Sequence, residues 1–229
     1  MRGRVGRVIG SILTLKEEVL EHSKKAYQEA LFAGTSGNLS ALDPETGRVV
    51  ITPTSYPYDI MQIEDLVVIE LDGTVVEGRH RPSSEWRMHC EIYKHRRDVR
   101  AVVHTHSPYA TAFAVAGKRI PLILIEMVPF IGGDIPVAEF RLPGSQELGL
   151  EAVRALIDRN ACLLANHGVV AIGNSLDQAH IRAVYAEDAA RIYHHAIGIG
   201  DVRLVPEESV EQMTRRLSAN QDKTAAQHK

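Results

Sequence analysis

The sequence predicts an α/β fold with helices packed on both faces of a largely antiparallel sheet. Three observations point there. The strand-like run 66–71 is turned by Asp72-Gly73 straight into 74–77, a hairpin pattern, and the run 48–52 follows the tight turn 43–47. Long stretches at 12–33 and 176–197 carry apolar residues at helical spacing. The chain has 229 residues, 45% of them hydrophobic and 24% charged, which suits a substantial core layered between helices and sheet.

The same bulk numbers exclude several classes. A net charge of -3 argues against a nucleic-acid binder driven by overall charge. The two cysteines, Cys90 and Cys162, sit in apolar patterns and read as buried thiols of a reducing compartment. No run reaches the roughly 18 apolar residues of a membrane span. Residues 1–10 hold three arginines but lead into no apolar signal region, so the expectation is a cytoplasmic protein with no membrane and no nucleic-acid partner.

In order, the first helix is expected over 12–33, ending at Gly34. The stretch 34–40 follows, with two glycines that free backbone N–H groups and with Thr35, Ser36 and Asn38 beside them. Such a loop is either a phosphate cradle or a plain polar turn. Thr52-Pro53-Thr54-Ser55 is a second hydroxyl-rich loop, and Asp65 reads as turn chemistry. Pro82-Ser83-Ser84-Glu85 opens a helix to about Arg96, with the serines suited to its N-cap and to an anion. His89 and Tyr93 on that helix read as packing. A strand over 99–104, a short helix over 107–116 and the apolar run 120–130 come next. Helix 145–157, strands 162–165 and 168–172, the long helix 176–197 and a last helix over 206–217 complete the pattern. The whole chain, 1–229, is expected to form a single domain with a frayed polar tail from about 221.

The chemistry concentrates at Val102-Val103-His104-Thr105-His106. Residues i and i+2 of a strand share a side, so both imidazoles face one point at the strand's end. His167 follows another strand-like run, and Glu85 opens a helix. Three histidines and a carboxylate suit zinc or a similar first-row metal, although an isolated His-x-His also occurs as two surface histidines. Glu126 is the one carboxylate in the apolar run 120–130, and an ion so flanked is expected to be paired or catalytic.

Five stretches, GTSGN (34–38), ITPTS (51–55), PSSEW (82–86), VVHTHS (102–107) and ANHGVVAIG (165–173), resemble the class II aldolase/adducin family in order and spacing, over about residues 12–200. The resemblance implies a three-layer α/β/α domain and a homotetramer with active sites at subunit interfaces. It implies that His104, His106 and His167 hold a divalent metal, zinc first and Mn2+ or Co2+ as alternatives. Glu85 would be the fourth ligand, and the acid/base once substrate displaces it. Thr35, Gly37, Asn38, Thr54, Ser55, Ser83 and Ser84 would cradle a substrate phosphate.

This sequence departs from the family at three places. Ser55 stands where the family usually has glycine. The tyrosine that fuculose-phosphate aldolases carry before Gly132-Gly133 falls on Glu126, and no tyrosine follows Tyr193. A glutamate there resembles methylthioribulose-phosphate dehydratases, in which it is the acid/base. Glu126 is therefore expected either to be catalytic or to pair structurally with Arg119, Arg141 or a neighbouring subunit. The function implied is a metal-dependent aldolase that cleaves a ketose 1-phosphate to dihydroxyacetone phosphate and an aldehyde. Its substrate would be 5-deoxyribulose, methylthioribulose or fuculose 1-phosphate. The alternatives are a methylthioribulose-1-phosphate dehydratase, a sugar-phosphate 4-epimerase, and a non-catalytic adducin-like interaction module.

Overall fold

The computed structural model describes residues 2–227, with side-chain surroundings defined over 12–219. Its sheet runs β4-β3-β2-β1-β5-β8-β7-β6. The strands are β1 (Asn38–Leu42), β2 (Val49–Ile51), β3 (Val67–Ile69), β4 (Val75–Glu77), β5 (Ala101–Thr105), β6 (Val137–Ala138), β7 (Ala161–Leu164) and β8 (Gly168–Gly173). Every pairing is antiparallel except β6 with β7.

Helices cover both faces. On one lie α1 (Arg2–Gln28), α3 (Pro108–Val115), α4 (Met127–Ile131) and α6 (Leu176–Ile199), which share a core with Leu39, Ala41, Ala101 and Val103. On the other lie α2 (Trp86–His95) and α5 (Gln146–Ala155), packed with Leu42, Val102, Cys162 and Val170. Alternation along β5 explains the split: Ala101 and Val103 face one core, Val102 the other. β5 is buried on both faces, which is why it reads as a continuous apolar run. The fold is therefore the expected three-layer α/β/α arrangement. Among the described residues no helix is long and apolar enough to cross a membrane.

Several boundaries differ from expectation. α1 stops at Gln28, not at Gly34. Ala30 turns left-handed (φ 57°), while its N–H bonds to Tyr27 O and that of Leu31 to Ala26 O, a Schellman stop with alanine in place of the usual glycine. β1 was not expected, because Asn38 and Ser40 interrupt its apolar pattern; both are buried polar residues with partners across the sheet. The two-residue β6 and the one-turn α4 are too short to leave a periodic signal. α7 (Glu207–Gln227) runs past the expected end at 217 and through the start of the expected tail; residues 228–229 lie outside the described residues.

Candidate active site

His104 lies on β5, whose register pairs it with Asn38 of β1 and Val170 of β8. It is fully buried, and its Nδ1–H donates to Val169 O at 2.8 Å. That bond orients the ring and turns Nε2 toward the strand's end. His106 follows just past β5, and its Nε2 lies 3.0 Å from His104 Nε2. His167 comes from the tight β7–β8 connection, where Asn166 takes a left-handed conformation (φ 53°) that asparagine tolerates. The three rings stand 4.8–5.0 Å apart. Gly168 lets β8 approach: a Cβ there would strike Thr105 O and meet His104 Cε1 and His106 Cδ2 at 3.1 Å.

Glu85 closes the cluster. Its Oε2 is 3.0 Å from His104 Nε2 and its Oε1 is 3.4 Å from His167 Nε2. Asn38 Nδ2 donates to Oε2 at 3.0 Å. The expected serine N-cap of α2 is not formed: Glu85 occupies the N-cap position, and its side chain faces the histidines instead of capping. Ser83 Oγ accepts the Glu85 N–H at 3.2 Å, which steadies that turn.

The electrostatics suit a cation. Burial alone would push the Glu85 carboxyl up, but the imidazoles of His104 and His167, with Asn38, outweigh it and hold the carboxyl well below the usual range. Burial, with repulsion from His104, pushes His106 and His167 down to about 4, so both are neutral bases at pH 7. One donor atom from each of Glu85, His104, His106 and His167 lies within 4.8 Å of the others. Glu85 Oε1 and His167 Nδ1 are buried without a hydrogen-bond partner among the described residues.

The three polar loops meet beside this cluster. A pocket of about 330 Å³ is lined by Thr35, Ser36, Gly37, Asn38, Thr54, Ser55, Ser83 and Ser84, with Glu85, His106 and His167 at its base. Gly37 is irreplaceable at its position, since its φ is +79° and a Cβ would press on the Phe32 ring and lie 2.9 Å from His104 O. Among the described residues no lysine or arginine lines the pocket, so an anion there would be held by hydroxyls and backbone N–H groups. The Asn38 amide is already engaged at both ends, its Oδ1 lying 2.5 Å from His89 Nε2.

Ser55 has φ 52°, the left-handed region that favours glycine. Ser55→Gly is expected to stabilise the fold by roughly 1 kcal/mol, because a non-glycine residue there carries about that much strain. Thermal melting checks it, and a lower melting temperature would contradict it.

Asp65, read from the sequence as turn chemistry, does more. Its carboxylate is buried, accepts the Gln62 N–H at 2.9 Å and contacts Arg79 Nη2 at 2.5 Å and His80 Nε2 at 2.9 Å, with Tyr56 as a further partner. Tyr56 follows Ser55, and His80 precedes Ser83, so this hub ties together two of the hydroxyl-rich loops that line the pocket. Burial would raise the Asp65 carboxyl, but the Arg79 bond and the others hold it well below the usual range. A depressed native pKa stabilises fully above the unfolded value, about pH 4, and that contribution is lost as pH falls through the native value. Asp65→Asn should therefore lower the melting temperature at neutral pH, with the gap from wild type narrowing below about pH 4. A gap independent of pH would contradict the role given to the charge.

Glu126 stands apart. It is exposed at the start of α4 and does not line the pocket, so the expected burial in an apolar run does not occur within one protomer. Its flanking residues, 121–125, form a half-buried loop instead. The arginines expected as its structural partners are engaged elsewhere, Arg119 with Asp134 and Arg141 with Glu139 and Glu151. Pro143 also lines the pocket and carried no sequence signal. His89 had one that went unused: it lies one helical turn after Glu85, on the same face.

Residues 17–194 match the family described as Class II Aldolase and Adducin N-terminal domain. The 5-deoxy-D-ribulose 1-phosphate aldolase of Bacillus thuringiensis serovar kurstaki is 38% identical over 201 residues, covering 88% of this chain and 94% of that protein. The 5-methylthioribulose-1-phosphate/5-deoxyribulose-1-phosphate aldolase of Rhodospirillum rubrum is 33% identical over 213 residues, covering 93% of this chain and 95% of that protein. An L-ribulose-5-phosphate 4-epimerase of Salmonella paratyphi B is 36% identical over 196 residues, covering 81% and 86%. Among solved structures, an L-fuculose 1-phosphate aldolase superposes with a TM-score of 0.85 at 36% identity, covering 90% of this chain and 96% of that one. With most of its length matched and these relatives covered nearly end to end, the chain belongs to the class II aldolase and adducin N-terminal domain family.

Proposed function

We propose that the protein is a metal-dependent aldolase that cleaves a ketose 1-phosphate into dihydroxyacetone phosphate and an aldehyde. The observation that carries this is the convergence of Glu85 and three imidazoles beside a hydroxyl-lined pocket that Glu85, His106 and His167 reach. The substrates proposed are 5-deoxyribulose and methylthioribulose 1-phosphates, supported by the names of two relatives and by the missing tyrosines, which suit a less polar tail.

His104, His106 and His167 would hold the metal through neutral nitrogens, with Glu85 as the fourth ligand. The donor spacing, the oriented His104 ring and the unpartnered Glu85 Oε1 fit a divalent ion, and the three-nitrogen, one-oxygen donor set favours zinc. Bound there, it supplies Lewis-acid polarisation of a carbonyl. Thr35, Gly37, Asn38, Thr54, Ser55, Ser83 and Ser84 take the phosphate, and that remote binding energy orients the sugar over Glu85. Glu85 carries the proton of the carbon α to the carbonyl: it delivers the proton after the carbon–carbon bond breaks and removes it in the reverse direction. The intact donor set argues against a non-catalytic module, since every proposed ligand is present.

The active form proposed is one 1–229 domain assembled as a homotetramer in the cytoplasm, in keeping with two buried free thiols. Glu126 acts as a second acid/base only in an assembly that carries α4 to a neighbouring pocket. The 4-epimerase relative supports a second reading, in which the same bond is broken and remade without release. The test is a product assay on zinc-loaded protein with fuculose, ribulose, 5-deoxyribulose and methylthioribulose 1-phosphates. Release of dihydroxyacetone phosphate is expected; loss of water with an intact carbon skeleton, or an isomer with no fragments, would replace the aldolase.

A further inference from the structure

Beneath Glu85 a buried chain of polar side chains runs from Asn38 to residues that neither hold the metal nor line the pocket, His89, Ser40 and Tyr93. Asn38 Oδ1 lies 2.5 Å from His89 Nε2, His89 Nδ1 lies 2.6 Å from Ser40 Oγ, and Ser40 Oγ lies 2.7 Å from the Tyr93 hydroxyl. Ser40 and His89 are fully buried and Tyr93 nearly so. Strand and helix geometry brings them together. Asn38 and Ser40 are two apart on β1, about 6.8 Å on one face of the sheet. Glu85, His89 and Tyr93 succeed one another four apart along α2, about 6 Å per step on one face of the helix. The two spacings match, so each polar residue of β1 meets polar partners from α2.

The direction of every hydrogen bond in this chain follows from the carboxylate. Ionised Glu85 only accepts, so the Asn38 amide must turn its NH2 toward Oε2. Asn38 Oδ1 then faces His89 and needs a donor, so His89 Nε2 carries the proton. Burial, with repulsion from His104, pushes His89 down to about 3, so the ring is neutral and Nδ1 is an acceptor. Ser40 O–H must donate to Nδ1, and its oxygen accepts from Tyr93 O–H.

We propose that His89 is a positioning residue: held in place by Ser40 and Tyr93 and carrying its proton on Nε2, it anchors the Asn38 amide so that its N–H, not its oxygen, faces Glu85. With the other tautomer the amide would flip, and an oxygen lone pair would oppose the carboxylate. Glu85 exchanges partners during turnover, and among the described residues Asn38 is the carboxylate's one hydrogen-bond partner outside the metal-binding cluster. The relay therefore keeps the carboxylate aimed when substrate arrives. This rests on the reading of Glu85 as the acid/base.

The test uses zinc-loaded protein and the variants His89→Met, His89→Gln, Asn38→Ala and Asn38→Ala/His89→Met. Methionine keeps volume without a donor, while glutamine can present an N–H near the Nε2 position. Expected are a fall in kcat of roughly 10- to 100-fold for His89→Met at unchanged KM and zinc content, and recovery of most of it in His89→Gln. The double variant should be no worse than Asn38→Ala by more than about twofold, because the two residues act in series. Wild-type kcat in His89→Met, or additive losses in the double variant, would overturn the proposal. Nitrogen-15 spectra of histidine-labelled protein give a readout independent of activity. His89 is expected as a single, neutral Nε2–H tautomer in wild type. An Nδ1–H or charged His89 in wild type would overturn the relay even if every variant loses activity. If wild-type protein cleaves no ketose phosphate, the functional reading fails while the spectra still decide the relay.

Discussion

Glu85→Gln is expected to lower kcat by roughly 100- to 10,000-fold, the range over which a positioned acid/base contributes. Zinc should remain bound, since His104, His106 and His167 still offer three nitrogens within 4.8 Å of one another. KM should change little, because the loops proposed to hold the phosphate are untouched. The substitution keeps the size of the side chain and removes its charge and its ability to carry the proton. Asn38 Nδ2 can still donate to an amide oxygen at that position, so the local fold is preserved. Kinetics alongside metal analysis separate the outcomes. A kcat within a few-fold of wild type would mean that another group moves the proton; a loss of zinc together with activity would reduce Glu85 to a ligand.

His106→Ala carries the second large effect. Metal affinity should fall by more than about 100-fold, since loss of a supporting partner alone costs 10- to 100-fold and this removes a ligand outright. Activity should disappear with it. Among the three histidines His106 is the cleanest to remove. It lies past the end of β5 and is half-buried, whereas His104 is fully buried and bonded to Val169 O across the β5–β8 pair. The metal-free variant should therefore melt near the metal-free wild type, while added zinc should raise the melting temperature of wild type only. A full complement of tightly bound zinc in His106→Ala would remove the imidazole from the ligand set.

The legible parts of the sequence were those with a local cause. The buried apolar run of β5, the His-x-His spacing at its end and the glycine- and hydroxyl-rich loops all write their geometry into adjacent residues. Their meeting in one pocket follows from the β1–β5–β8 register, which no local pattern specifies. β1 was missed because its polar residues, Asn38 and Ser40, break the strand's apolar pattern to meet partners across the sheet in Glu85 and His89. The Asp65 hub joins residues from three loops, and only the fold brings Arg79 and His80 onto a turn carboxylate. Glu126 is exposed in the single chain for a related reason. Its apolar neighbours form a half-buried loop at the surface, so hydrophobic flanks did not imply burial.

The most direct measurement is proton exchange on dihydroxyacetone phosphate alone, in deuterated water, followed by proton NMR. An aldolase running in reverse must take a proton from the carbon α to the carbonyl before any aldehyde arrives. Zinc-loaded wild type is predicted to exchange one of the two hydrogens at that carbon, while Glu85→Gln and metal-stripped protein exchange neither. No exchange by the loaded wild type, or equal exchange by Glu85→Gln, would contradict the assignment of this site and of Glu85 as its proton carrier.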